Sequence, residues 1–146
     1  MADTASLTIS ISAPLDTCWA IATDFEKYPD WAKDVKEAKV VARDDQGRAT
    51  QVEFRTSALG RSTHYTLEYD YSAAPHRLAW RMVKGDIMRA VDGAYMFASS
   101  TDGSVVLTYN LSIELIVPLP GFVKRRAEVR ILNTVKELKV RAEAGS

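Results

Sequence analysis

Residues 105–141 read VVLTYNLSIELIVPLPGFVKRRAEVRILNTVKELKVR, and the architecture follows from them. Val105, Leu107, Tyr109, Leu111 and Ile113 fall on alternate positions, the period-two signature of a strand with one apolar face. Pro118-Leu119-Pro120-Gly121 then ends the strand, because proline has no N–H to give a ladder. From Phe122 to about Arg141 the pattern changes to that of one long helix, with Phe122, Val129, Leu132, Val135 and Leu138 assigned to its apolar face. A sheet with one apolar face has to cover it, and this helix is the only large cover the chain offers.

Upstream the chain reads as a run of further strands. Val91, Gly93, Tyr95 and Phe97 share a face and end at Thr101-Asp102-Gly103. Leu78, Trp80 and Met82 precede them, between the turns Ala74-Pro75-His76 and Lys84-Gly85-Asp86. Tyr65, Leu67, Tyr69 and Tyr71 share one face of an earlier strand, with His64, Thr66, Glu68 and Asp70 on the other. Thr50–Ser57 places Val52, Phe54 and Thr56 together, and Val35–Arg43 is joined to it by Asp44-Asp45-Gln46-Gly47. Leu7, Ile9 and Ile11 alternate in a first strand. Pro14 stops that strand and opens a short apolar helix around Cys18-Trp19-Ala20-Ile21-Ala22. A second short helix is expected over Phe25–Ala32, interrupted by Pro29.

The predicted architecture is α+β: a curved antiparallel sheet of about seven strands around a long C-terminal helix, with two short helices after the first strand. A curved sheet and a single helix seldom meet everywhere, so a cavity between them is expected. The chain is read as one domain, 1–146, with its core at about 7–141; 146 residues leave room for little else.

Composition narrows the chemistry. One cysteine excludes an intramolecular disulfide and cysteine-only metal clusters, and with two histidines a His-based metal site would have to draw on scattered carboxylates. No metal or cofactor is expected. The net charge is zero, which gives no global case for nucleic acid. No apolar run approaches the roughly 20 residues that span a bilayer, and Met1-Ala2-Asp3-Thr4 lacks a basic leader, so a cytoplasmic location is expected. Charge is uneven, however: residues 119–146 carry seven bases against three acids. Lys124-Arg125-Arg126 stand at the start of the last helix, where the dipole disfavours cations. They are either part of a solvated helix face or a transient contact with an anionic membrane surface.

Seven aromatic residues fall on the inward phase of their strands: Phe54, Tyr65, Tyr69, Trp80, Tyr95, Phe97 and Tyr109. Any core needs aromatics, but four tyrosines make this a polar-tipped set, and buried hydroxyls need partners. These residues are the expected lining of a ligand cavity. Counting back in twos from Tyr95 adds Arg89, whose guanidinium would fix an anionic group at the cavity mouth. A phase slip at the strand end would instead send it to water. His64 lies on an outward phase and His76 in a turn, and neither has an acid or serine partner at a meaningful spacing. Cys18 reads as a small buried hydrophobe. No catalytic residue is nominated, and no nucleotide-binding or zinc-hydrolase motif is present.

Ile9-x-Ile11-x-Ala13-Pro14-x-Asp16-x-x-Trp19, followed by Asp24-Phe25-x-x-Tyr28-Pro29-x-Trp31, resembles the opening of the START-like, helix-grip superfamily. More narrowly it is similar to the bacterial polyketide cyclase/dehydrase and lipid transport proteins. Tyr65-x-Leu67-x-Tyr69-x-Tyr71, Leu78-x-Trp80 and the Pro-x-Pro-Gly-Phe before the last helix fit the same pattern, from about Leu7 to Leu138. The resemblance implies binding or transport of a small hydrophobic or amphipathic ligand, such as a lipid, quinone or polyketide. The alternative it implies is a cyclase/dehydrase-type enzyme acting in the same cavity. Fold alone does not choose between them.

Overall fold

The structure is a computed structural model that describes residues 3–58, 61–116 and 121–144, without the side chains at 3, 58, 61, 115, 122–124, 126–128 and 131. Strand β1 (Asp3–Ile11) leads into helix α1 (Leu15–Thr23) and a 3-10 helix (Phe25–Asp30). The strands β2 (Val35–Arg43), β3 (Ala49–Ala58), β4 (Arg61–Asp70), β5 (Arg77–Gly85), β6 (Met88–Ser99) and β7 (Val105–Leu115) follow, and then helix α2 (Gly121–Ala144). All seven strands form one sheet in the order β1-β7-β6-β5-β4-β3-β2. Every pairing is antiparallel, and β1 closes against β7 from Asp3↔Ile113 to Ile11↔Val105.

Hairpin turns set the meander. Gly47 and Gly103 supply the left-handed backbone, at φ 81° and 87°, that two of these turns require. The sheet curves, and the irregularities in its ladders show how. Register shifts fall in β2–β3 at Val35/Glu37, Val40/Ala42 and Ala42/Arg43, in β4–β5 at Thr66/Leu67 and in β6–β7 at Met88/Ala90. Each adds a residue to one strand only, which bends it and increases its twist. The expected turn at Lys84-Gly85-Asp86 is shifted, because β5 runs through Gly85 and only Asp86 and Ile87 connect it to β6.

Pro29 lies inside the second short helix, which is 3-10 and ends at Asp30 rather than at Ala32. Its last turn is held by Trp31 N–H and Ala32 N–H, both donating to the Tyr28 carbonyl at 3.1 and 2.8 Å. The 24 residues of α2 span about 36 Å. Its close backbone approaches among the described residues are to β1 and α1. Val135, Leu138 and Ala142 are fully buried there, one face of the helix at spacings of three and seven. Val129, assigned to that face from sequence, is 59% exposed. Its spacing of nine from Leu138 is two and a half turns, which carries it to the opposite side.

Polar contacts tie α2 down along its length. Arg130 donates to both carboxylate oxygens of Asp34, at 2.5 and 3.2 Å. The Glu137 carboxylate accepts the Lys33 N–H, and Lys139 Nζ donates to the Ser10 carbonyl at 2.6 Å. The Glu143 carboxylate accepts the Ser12 N–H at 2.8 Å.

Candidate functional site

Successive strands bring the predicted aromatic residues together on the concave face. Phe54 stacks with Tyr65 across β3 and β4, with ring centroids 5.7 Å apart. Tyr69 on β4 meets Trp80 on β5 at 6.0 Å. Trp80 meets Tyr95 at 5.1 Å and Tyr109 at 5.7 Å, and those two tyrosines meet each other at 5.2 Å. Phe97 stacks on Tyr95 at 5.9 Å. Each contact follows from the ladder register: Tyr69 pairs with Trp80, Trp80 with Gly93, and Tyr95 with Tyr109. Gly93 has no side chain, so the Trp80 indole lies across it; a Cβ there would come within 2.8 Å of Trp80 Cζ2.

Two further aromatics complete the cluster and are absent from the expected set. Phe25, on the 3-10 helix, lies 4.4 Å from Tyr69, and Tyr28 lies 6.0 Å from Phe54. Their spacing of three, in Asp24-Phe25-x-x-Tyr28, puts both on one face of a 3-10 turn. That was the available signal, and it can be read only once the turn is placed over the sheet.

The polar tips have different environments. Tyr28 donates to the Ala22 carbonyl at 2.6 Å and shares a hydrogen bond with Tyr95. Tyr65 shares one with Thr56. Tyr69 and Tyr109 have no hydroxyl partner among the described residues, and the buried Trp80 Nε1 has none either. Burial pushes the phenols of Tyr65 and Tyr95 up to about 12. Burial, followed by the neighbouring tyrosines, drives Tyr28, Tyr69 and Tyr109 well above their ordinary value. At neutral pH all of them are therefore O–H donors. The buried polar residues among those described are Thr56, Thr63 and Thr66, with no charged side chain in the set.

Arg89 does not join this site. Its side chain is 63% exposed, and its Nη1 pairs with Glu114 Oε1 at 3.3 Å on the outer surface. The shift between Met88↔Leu115 and Ala90↔Glu114 explains the reversal: it breaks the alternation that runs back from Tyr95 and turns Met88, not Arg89, inward. Thr66 is buried as well, although it keeps its place between the inward Tyr65 and Leu67.

His64 has an acid partner that local spacing does not reveal. Its Nδ1 lies 3.7 Å from Asp86 Oδ2. Asp86 also accepts from Thr63 Oγ1 at 2.5 Å and from the N–H groups of His64 and Ile87 at 2.9 and 2.5 Å. Burial raises this carboxyl, but the accepted hydrogen bonds outweigh it and bring Asp86 down to about 2. His64 and Asp86 are exposed, Thr63 is buried beneath them, and the cluster caps the β5–β6 turn. His76 sits in its turn with Nδ1 3.3 Å from the Phe97 carbonyl. Cys18 is buried, and its thiol is raised chiefly by that burial, so it is not poised as a nucleophile. No three His, Cys, Asp or Glu side chains come together among the described residues. Of the basic trio, Arg125 is exposed, while the side chains of Lys124 and Arg126 lie outside the described residues, as do Phe122 and the connections at 59–60 and 117–120.

A seven-stranded antiparallel sheet curved around a C-terminal helix, with short helices after the first strand, is the START-like helix-grip fold. The chain belongs to the polyketide cyclase / dehydrase and lipid transport family, which matches it over residues 3–142. A START superfamily protein from Mycobacterium smegmatis is similar at 24% identity and TM-score 0.89, covering 98% of this chain and 99% of that one. A protein from Thermus thermophilus is similar at 20% identity and TM-score 0.84, covering 99% of both chains. The Zhui aromatase/cyclase of a Streptomyces species follows at 14% identity and TM-score 0.69, with 99% of this chain and 90% of that one covered. At these identities the likeness establishes the fold alone. No functionally curated protein matches the sequence.

Proposed function

We propose that this protein encloses a small hydrophobic or amphipathic ligand, such as a lipid, quinone or polyketide, between the concave face of the sheet and α2. The observation that carries this reading is the tyrosine-rich aromatic cluster, in which two phenols and an indole N–H have no partner among the described residues. A core built only for packing would not leave an indole N–H buried and unpaired, because such a group costs stability. Binding would come from burial, at about 25 cal/mol per Å² of apolar surface removed from water. No acid–base pair is then needed. The basic trio Lys124, Arg125 and Arg126 fits transient contact with an anionic membrane surface during loading.

The second reading is a cyclase/dehydrase-type enzyme, and the family's own description supports it. In it the same neutral tyrosines would polarise a substrate carbonyl. Native mass spectrometry of the protein purified from its own host tests the choice. A co-purifying lipid or quinone is expected for a carrier. An empty protein that turns over a poly-ketone would overturn the carrier in favour of the enzyme.

A further inference from the structure

The Trp80 indole is 7% exposed, and its Nε1 is a buried donor without an acceptor. It lies among Tyr69, Tyr95 and Tyr109, all within 6.0 Å of it by ring centroid. The hydroxyls of Tyr69 and Tyr109 also lack protein partners among the described residues. An indole N–H donates only, whereas a protonated phenol can both donate and accept. The indole N–H is therefore a donor left unpaired in a region where a buried donor is normally paired.

A ligand that matches this unpaired donor brings an acceptor and no charge. An anionic head would need a buried cation, and the buried polar residues described are three threonines. The one arginine expected to serve, Arg89, points outward to Glu114. We propose that Trp80 Nε1, set among the rings of Tyr69, Tyr95 and Tyr109, binds a neutral carbonyl-type oxygen of the ligand: a ketone, ester or quinone rather than a carboxylate or phosphate. This assignment rests on the container reading and adds to it the polarity of the ligand's buried end.

Two probes of matched shape separate the two claims: 2-acetylnaphthalene, which carries the carbonyl, and 2-ethylnaphthalene, which replaces it with a methylene. Affinities are measured by calorimetry for the wild type and for Trp80→Phe, which keeps a ring and removes the N–H. The ratio of ketone to hydrocarbon affinity is expected to fall about five- to tenfold in Trp80→Phe, the worth of one neutral hydrogen bond. In the wild type, the Trp80 indole N–H proton resonance is expected to move downfield with the ketone and not with the hydrocarbon. That resonance is assigned by its contacts to the Tyr95 and Tyr109 rings, so it decides the matter even where the variant fails to fold.

If both probes bind, the ratio is unchanged and the resonance does not distinguish them, the carbonyl site is overturned and the apolar container stands. A trapped water satisfying Trp80 would give that result. If neither probe binds, the container and the carbonyl site fall together. Tight binding of 2-naphthoate in place of the ketone would overturn the requirement for a neutral ligand.

Discussion

At Gly93 the sheet gives up a side chain so that Trp80 can lie flat. A Cβ at this position would overlap the Asn110 carbonyl oxygen and stand 2.8 Å from Trp80 Cζ2. The indole can tilt away, but the carbonyl belongs to the β6–β7 ladder and cannot move without opening it. Gly93→Ala is therefore expected to cost about 2 kcal/mol, in the range of core overpacking, and a thermal melt should read it as a lower Tm. An unchanged Tm would mean that β7 yields freely at this point. Trp31 offers a second test of the same kind. It is half-buried, with its ring 4.7 Å from Tyr28, whose hydroxyl anchors α1 through Ala22. Trp31→Ala is expected to lose about 2 kcal/mol, below the usual 3–5 for a fully enclosed aromatic. No loss in chemical denaturation would make Trp31 a gate or surface anchor instead of a packing residue.

Helix α2 and the β5–β6 turn show what alternation and spacing could and could not reveal about whole elements. Leu138 is completely buried and Val129 is 59% exposed. Leu138→Ala should cost about 3 kcal/mol, while Val129→Ala should stay within about 0.5 kcal/mol. Equal costs would contradict this helix face. The long helix itself was legible from its pattern and from the Pro-Gly break before it. Its rotation was not, because apolar residues every third position drift around a helix of 3.6 residues per turn. The strands behaved similarly. Where a ladder is regular, as in Tyr95↔Tyr109, period two placed the side chains correctly. Where a register shift intervenes in the strand itself, at Met88/Ala90, the phase reversed for Arg89, and nothing in the alternation marks such a shift. The Asp86 cap was hidden for another reason, since Thr63 and Asp86 meet only when β4 is laid beside the β5–β6 turn. Its carboxyl sits at about 2 against an ordinary value of 3.8. A carboxyl lowered on folding contributes stability above its unfolded value and loses it as pH falls toward the folded one. Between pH 4 and 2 the wild type should lose stability more steeply than Asp86→Asn, as read by urea midpoints. Parallel pH profiles would show that the cap is broken in solution.

The whole molecule can be interrogated through its tyrosines, because all six, Tyr28, Tyr65, Tyr69, Tyr71, Tyr95 and Tyr109, are raised above the ordinary value of 10. Burial is the leading cause at every one. Tyr71 lies at the edge of the cluster, donates to the Ala49 carbonyl at 2.6 Å and sits 4.9 Å beneath the Arg48 guanidinium, yet it too is pushed up to about 12. An unfolded chain ionises its phenols near 10 and the folded chain holds those protons until about 12. Across that window the unfolded state binds fewer protons, so stability is full below pH 10 and declines as pH rises. The ultraviolet absorbance of phenolate should therefore stay flat through pH 10 and then rise in one cooperative step, together with loss of near-ultraviolet circular dichroism. A gradual rise centred near 10 with the fold intact would show that the phenols meet bulk water. The same titration bears on function. A neutral ligand seated against Trp80 and Tyr109 binds the folded chain alone, and at a hundred times its Kd it would add about 2.7 kcal/mol. The alkaline transition should then move to higher pH with 2-acetylnaphthalene bound, and a transition indifferent to the probe would remove the ligand from the concave face.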